Sequence, residues 1–94
     1  MHGILITFEM PPEHQEEYFE TTRTLFPVWE KQGFLGSLFQ NTAFENRFVQ
    51  MFFTEGGVDS LTQMIQTDPG TRRLFDIMKS AGGRVEVSVL EKRD

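Results

Sequence analysis

With 94 residues the chain fits one small domain, 1–94, and 38% hydrophobic with 13% aromatic content marks it as globular rather than disordered. A formal charge of −5 disfavours phosphate backbones and anionic bilayers, so neither nucleic acid nor membrane is an expected partner. The lack of cysteine excludes a disulfide framework, thiolate metal ligation and thiol redox chemistry.

The stretch "HGILITFEM" alternates Ile4, Ile6, Phe8 and Met10 against Leu5, Thr7 and Glu9, which reads as a first strand ended by Pro11 and Pro12. In "PEHQEEYFETTRTLFPVWEKQG", Tyr18, Thr22, Leu25 and Trp29 form one stripe at helical spacing, with Phe19 and Phe26 beside it. Glu13, Glu16, Glu17 and Glu20 lie early and Lys31 lies late, as the helix dipole favours, and Gly33 supplies the stop. Pro27 removes the donor to the Arg23 carbonyl at a cost of ~3 kcal/mol in a helix interior. A kink between Arg23 and Pro27 is expected, or a helix that ends there and resumes through Trp29.

Further along, "FLGSLFQNTAF" and "NRFVQMFFTE" read as paired strands joined near Ala43 to Asn46. Gly56 and Gly57 break the pattern, and Asp59 or Ser60 is expected to cap a helix through Leu61, Met64 and Ile65. Asp68 as N-cap with Pro69 at the first position restarts a helix through Leu74, Phe75, Ile77 and Met78, closed by Gly82 and Gly83. Last, "RVEVSVLEK" sets Val85, Val87 and Val89 against Arg84, Glu86 and Ser88, a strand with one buried face.

The resulting β-α-β-β-α-β order is that of an α+β, ferredoxin-like split motif: a four-stranded antiparallel sheet with both helices on one face. The first and third strands are expected at its centre. On the third, Phe48 and Phe52 point one way while Val49, Met51 and Phe53 point the other. Helices cover one of these faces, and the other needs a cover of its own. Small domains supplement a limited core by oligomerising, and ten phenylalanines exceed what one thin core hides. Phe48, Met51, Phe52 and Phe53 are therefore the candidate dimer interface, with the contacting face left open.

Three covers compete. The RNA recognition motif shares the element order, but "FENR" stands where its basic residue, glycine and first aromatic belong, and the chain is acidic. A different protein is the second candidate, and a second copy the third; closed two-fold pairs are the commonest oligomers. Length, element order and the segments "FLGSLFQN" and "MFFTEGGVDSLTQMIQ" resemble the dimeric α/β-barrel superfamily, in its antibiotic-biosynthesis-monooxygenase-like branch. That resemblance implies a homodimer in which two sheets close against each other. It implies a small apolar or aromatic ligand and no prosthetic group, because members oxidise aromatic polyketides or haem without a conventional one. Other members have no known activity, so an oxygenase and a non-catalytic binding or assembly module both stay open. Haem-degrading members use an asparagine on the first strand with a histidine and a tryptophan. Here that strand offers Thr7 and Glu9, and the only histidines are His2 and His14, so haem degradation is not expected.

Trp29, Tyr18, Phe26 and Phe75 are candidates to line a ligand pocket between helix and sheet, although such a stripe is more often ordinary core. Asn41 and Gln50 are polar positions on the strands, Asn41 a candidate ligand contact or a turn residue. His14 with Glu13 and Glu17 reads as a solvated helix face rather than a metal set, and no metal is expected. Arg72 and Arg73 suit surface pairing or an anion. No Ser-His-Asp set or phosphate loop assembles. No apolar run approaches the ~20 residues of a membrane span, and the N-terminus lacks a basic leader, so the expected location is cytoplasmic.

Overall fold

A computed structural model describes residues 1–82 and 84–93. The elements are β1 (His2–Glu9), α1 (Pro12–Lys31), β2 (Leu35–Gln40), β3 (Arg47–Thr54), α2 (Gly57–Thr67), α3 (Pro69–Gly82) and β4 (Val85–Glu91). All strand pairs are antiparallel in the order β2-β3-β1-β4, so β1 and β3 are central as the pattern required. Ile4, Ile6 and Phe8 of β1 and Phe48 and Phe52 of β3 pack against Tyr18, Leu25, Trp29, Leu61, Leu74 and Met78 of the helices. The helices share that one face.

α1 runs unbroken across Pro27, so the helix neither ends nor resumes there. Arg23 and Pro27 are both exposed, which leaves the unpaired carbonyl side of the turn to water, while buried Tyr18, Thr22, Leu25 and Trp29 hold both halves on the sheet. The helix stops at Gly33, whose φ of 85° lets the Phe34 N–H donate to the Trp29 carbonyl at 2.9 Å. α2 begins at Gly57, two residues before the expected cap at Asp59. Gly57 takes φ 73° three residues past the end of β3, so a positive-φ glycine turns the chain where a side-chain cap was expected. Asp68 serves two helices: its N–H donates to the Met64 carbonyl at 2.8 Å, and its Oδ2 accepts the Thr71 N–H at 3.0 Å, capping α3. Gly83, expected to close α3, lies outside the described residues.

Two further expectations change. Phe48 and Phe52 are buried on the helix side, so they leave the candidate dimer interface, and Met51 and Phe53 remain on the opposite face. The valine face of β4 is buried only in part: Val85 packs on the core, while Val87 and Val89 are 55% and 46% exposed. Pairing with Ile6 and Ile4 points them to the helix side, yet β4 is an edge strand and the helices lie over the centre of the sheet.

Candidate functional site

The space between helices and sheet is filled. Trp29 is fully buried and meets Phe52 and Phe26 edge-on, with ring centroids 4.8 and 5.5 Å away. Its Nε1–H donates to Thr71 Oγ1 at 2.9 Å, and that hydroxyl donates onward to Asp68 Oδ2 at 2.5 Å. One threonine thus joins the tryptophan to the cap of α3. β2 passes so close that a Cβ built at Gly36 would lie 2.8 Å from Trp29 Cε3. The Tyr18 hydroxyl donates to Gln50 Oε1 at 3.4 Å, and Gln50 Nε2 donates to the Ser37 carbonyl at 3.0 Å. Burial pushes the Tyr18 phenol well above its ordinary ionisation range, against a smaller lowering by the Thr22 side chain.

Tyr18, Phe26, Trp29 and Phe75, the residues expected to line a ligand pocket, therefore meet as core, and the polar atoms of Tyr18 and Trp29 are engaged within the chain. Asn41 does not join them. It sits after β2, where its Oδ1 accepts the N–H groups of Ala43 (2.8 Å) and Phe44 (3.0 Å), an Asx turn that resolves the β2–β3 connection. Nor does Arg72 await an anion: its guanidinium donates to the Ile65 and Gln66 carbonyls at the end of α2. His14, Glu13 and Glu17 are exposed along α1. Among the described residues no cluster of three His, Cys, Asp or Glu could hold a metal ion, and no helix is long and apolar enough to cross a membrane.

The face of the sheet away from the helices is open. Strand register places Leu35, Phe53, Gly3 and Leu90 in one row across the four strands, and Ser37, Met51, Leu5 and Ser88 in the next. A third row runs Phe39, Val49, Thr7, Glu86. Phe39 and Leu35 are more than half exposed, and Phe53 is 38% exposed despite its place on a central strand. The apolar rows give way to charge at one end. There Arg47 pairs with Glu9 at 3.3 Å and lies 4.6 Å over the Phe44 ring, and Arg84 pairs with Glu86 at 3.1 Å. These side chains rim a cleft of about 370 Å³ floored by Thr7 and Phe8. A second cleft, of about 470 Å³, opens where α1 starts beside the β2–β3 loop, between Gln15, Gln40, Asn41 and Asn46. Neither cleft reaches Trp29 or Tyr18. Sequence reading missed both because each is assembled by strand register and loop closure. Alternation alone does place Glu9, Thr7 and Arg47, Val49 on the open face once the strands are paired.

The class of molecule is thus a ferredoxin-like α+β sandwich of one helix layer on one antiparallel sheet, with the second sheet face bare. No family model and no curated protein sequence matches the chain. Solved structures do. The chain is similar to an antibiotic biosynthesis monooxygenase, with a TM-score of 0.80 and 15% identity over 100% of both chains. A conserved protein from Methanosarcina mazei Go1 gives 0.80 and 16%, covering 98% of this chain and 92% of the other. SnoaB, a cofactor-independent oxygenase from Streptomyces nogalater, gives 0.72 and 18%, covering 99% and 93%. At such identities the likeness establishes the fold, that of antibiotic-biosynthesis-monooxygenase structures, and leaves the chemistry to this chain's own residues.

Proposed function

We propose that two copies of the chain stack their open sheet faces into a closed barrel, and that a small apolar or aromatic molecule is held between the protomers. The observation that carries this reading is the bare face itself. Leu35, Phe39, Met51, Phe53, Leu5 and Leu90 lie on one surface with no cover from their own chain, although β1 and β3 are central strands. Contiguous apolar surface of this kind is uncommon on a monomer and favours association. A two-fold partner supplies an identical face, so apolar rows meet apolar rows. The packed core around Trp29 supports placing any ligand space between sheets rather than beneath the helices.

The packed core also supports a second reading, in which the dimer is a non-catalytic binding or assembly module filled by its own side chains. Oxygenase chemistry, by contrast, rests on the fold neighbours, SnoaB among them, and on no residue of this chain. Light scattering over a concentration series is the test of the dimer. A mass twice the 10.9 kDa of the chain is expected, reduced to the monomer by Met51→Glu. A wild-type monomer at all concentrations would overturn the barrel. Oxygen uptake with a panel of quinols and polyphenols then separates the enzyme from the module.

A further inference from the structure

The cleft between the start of α1 and the β2–β3 loop has a polar lining of unusual order. Four carboxamides reach it, and each is anchored by one end. Gln15 Nε2 donates to the Met10 carbonyl at 2.9 Å and to Asn46 Oδ1 at 3.0 Å. Gln40 Nε2 donates to the Glu45 carbonyl at 2.8 Å. Asn41 Oδ1 accepts two loop N–H groups, as described above. The loop is itself tied down, since the Met10 N–H donates to the Asn46 carbonyl at 2.7 Å and the Asn41 N–H to the Arg47 carbonyl at 2.8 Å.

The anchored carboxamides leave both donors and acceptors unused. Among the described residues, the carbonyl oxygens of Gln15 and Gln40 and the amide nitrogens of Asn41 and Asn46 have no partner. Together with the Thr42 hydroxyl and the Glu45 carboxylate, these acceptors and donors line one open cleft of about 470 Å³. A hydroxyl group both donates and accepts. The hydroxyls of one ligand can donate to the glutamine oxygens and the Glu45 carboxylate and accept from the asparagine amides and the Thr42 hydroxyl, so a hydroxyl-rich ligand uses both kinds of group. An anion would meet two carbonyl oxygens and the Glu45 carboxylate, and a cation, though it could use those oxygens, would leave the two asparagine amide donors unused. Because the amides are already held by the chain, ordering them on binding costs less than ordering free side chains. The Pro12 ring, also on the lining, adds an apolar surface for ring C–H groups.

From this we infer that the cleft bounded by Gln15, Gln40, Asn41 and Asn46 is a binding site for a neutral, hydroxyl-rich small molecule of the saccharide class. The inference is independent of the dimer, because the cleft contains none of the apolar open-face residues.

The test is a backbone-amide NMR titration of the full chain with D-glucose, D-galactose, D-ribose and N-acetyl-D-glucosamine, each to about 50 mM, above the millimolar affinities of weak sites. Saturable shifts confined to Gln15, Gln40 and residues 41–46 are expected with at least one sugar, and none with acetate or methylammonium. Asn41→Asp keeps the Oδ1 acceptor on which the Asx turn depends and replaces only the unused donor. It is expected to weaken binding at least about tenfold with the loop resonances otherwise in place. Asn46→Asp, which likewise keeps its acceptor for Gln15, gives a second reading should the first variant disturb the turn. No saturable shift with any of the four sugars, shifts centred elsewhere, equal response to acetate, or unchanged affinity in both variants would each overturn the site. Solution mass read on the same samples keeps failure of the dimer distinct from failure of this cleft.

Discussion

The two faces of the sheet have comparable apolar content and opposite fates. On the helix side Ile4, Ile6, Phe8, Phe48 and Phe52 are buried almost completely, and the polar atoms that enter that layer, on Tyr18, Gln50, Thr71 and Trp29, are joined by hydrogen bonds. On the other side Leu35, Phe39, Phe53 and Leu90 remain in water, and the polar pairing noted there is the surface ion pairs Arg47–Glu9 and Arg84–Glu86 at one end. The difference lies in how each face is satisfied. One face is satisfied within the chain and carries its stability, whereas the other is available for association.

Substitutions on the two faces should therefore separate cleanly. The largest effect is expected from Trp29→Ala, which removes a fully buried ring and leaves Thr71 without its donor; a loss of about 3–5 kcal/mol in urea unfolding followed by circular dichroism is expected. A loss under about 1 kcal/mol would mean that the helix–sheet layer holds a void and is open to ligands after all. Raising the pH probes the same layer. The unfolded phenol of Tyr18 ionises above pH ~10 while the folded one resists, so the unfolded state releases its proton first and stability falls as pH rises. The slope should approach about 1.4 kcal/mol per pH unit for this one group, and Tyr18→Phe should remove that share.

Gly36→Ala tests the close approach of β2 to Trp29. A methyl at 2.8 Å from the indole has to displace it, at an expected cost of about 1–3 kcal/mol. Thr71→Val keeps the shape and removes the hydroxyl, leaving the buried indole N–H unpaired, for which about 1–2 kcal/mol is expected. The smallest effect on folding belongs to the open face. Phe53→Ser, measured at dilution, should change unfolding free energy by no more than about 0.5 kcal/mol while shifting the association equilibrium. If it instead destabilised the dilute chain as strongly as Gly36→Ala, the contrast between the faces would collapse.

Periodicity made the strands, the helix stripe from Tyr18 to Trp29 and the Asp68-Pro69 restart legible, because each depends on neighbours a few residues away. The Trp29 stripe left core and pocket both open for a related reason: an aromatic stripe has the same spacing whether its rings pack on one another or around a ligand. Phe48 and Phe53 show the same limit, since alternation assigns them to opposite faces without saying which one the helices cover. Val87 and Val89 alternate as a buried face should, yet lie exposed on an edge strand whose Val85 alone packs on the core.

By itself the sequence determined the element order, the two apolar faces of the third strand and the stops at Gly33 and Asp68, all consequences of local backbone preference and side-chain period. Only the tertiary structure decided which face is covered, that the Trp29 region is solid, and that Gln15, brought in from α1, meets Gln40, Asn41 and Asn46 around one cleft. Those outcomes depend on distant segments competing for the same space, and a pattern confined to neighbouring residues carries no record of that competition.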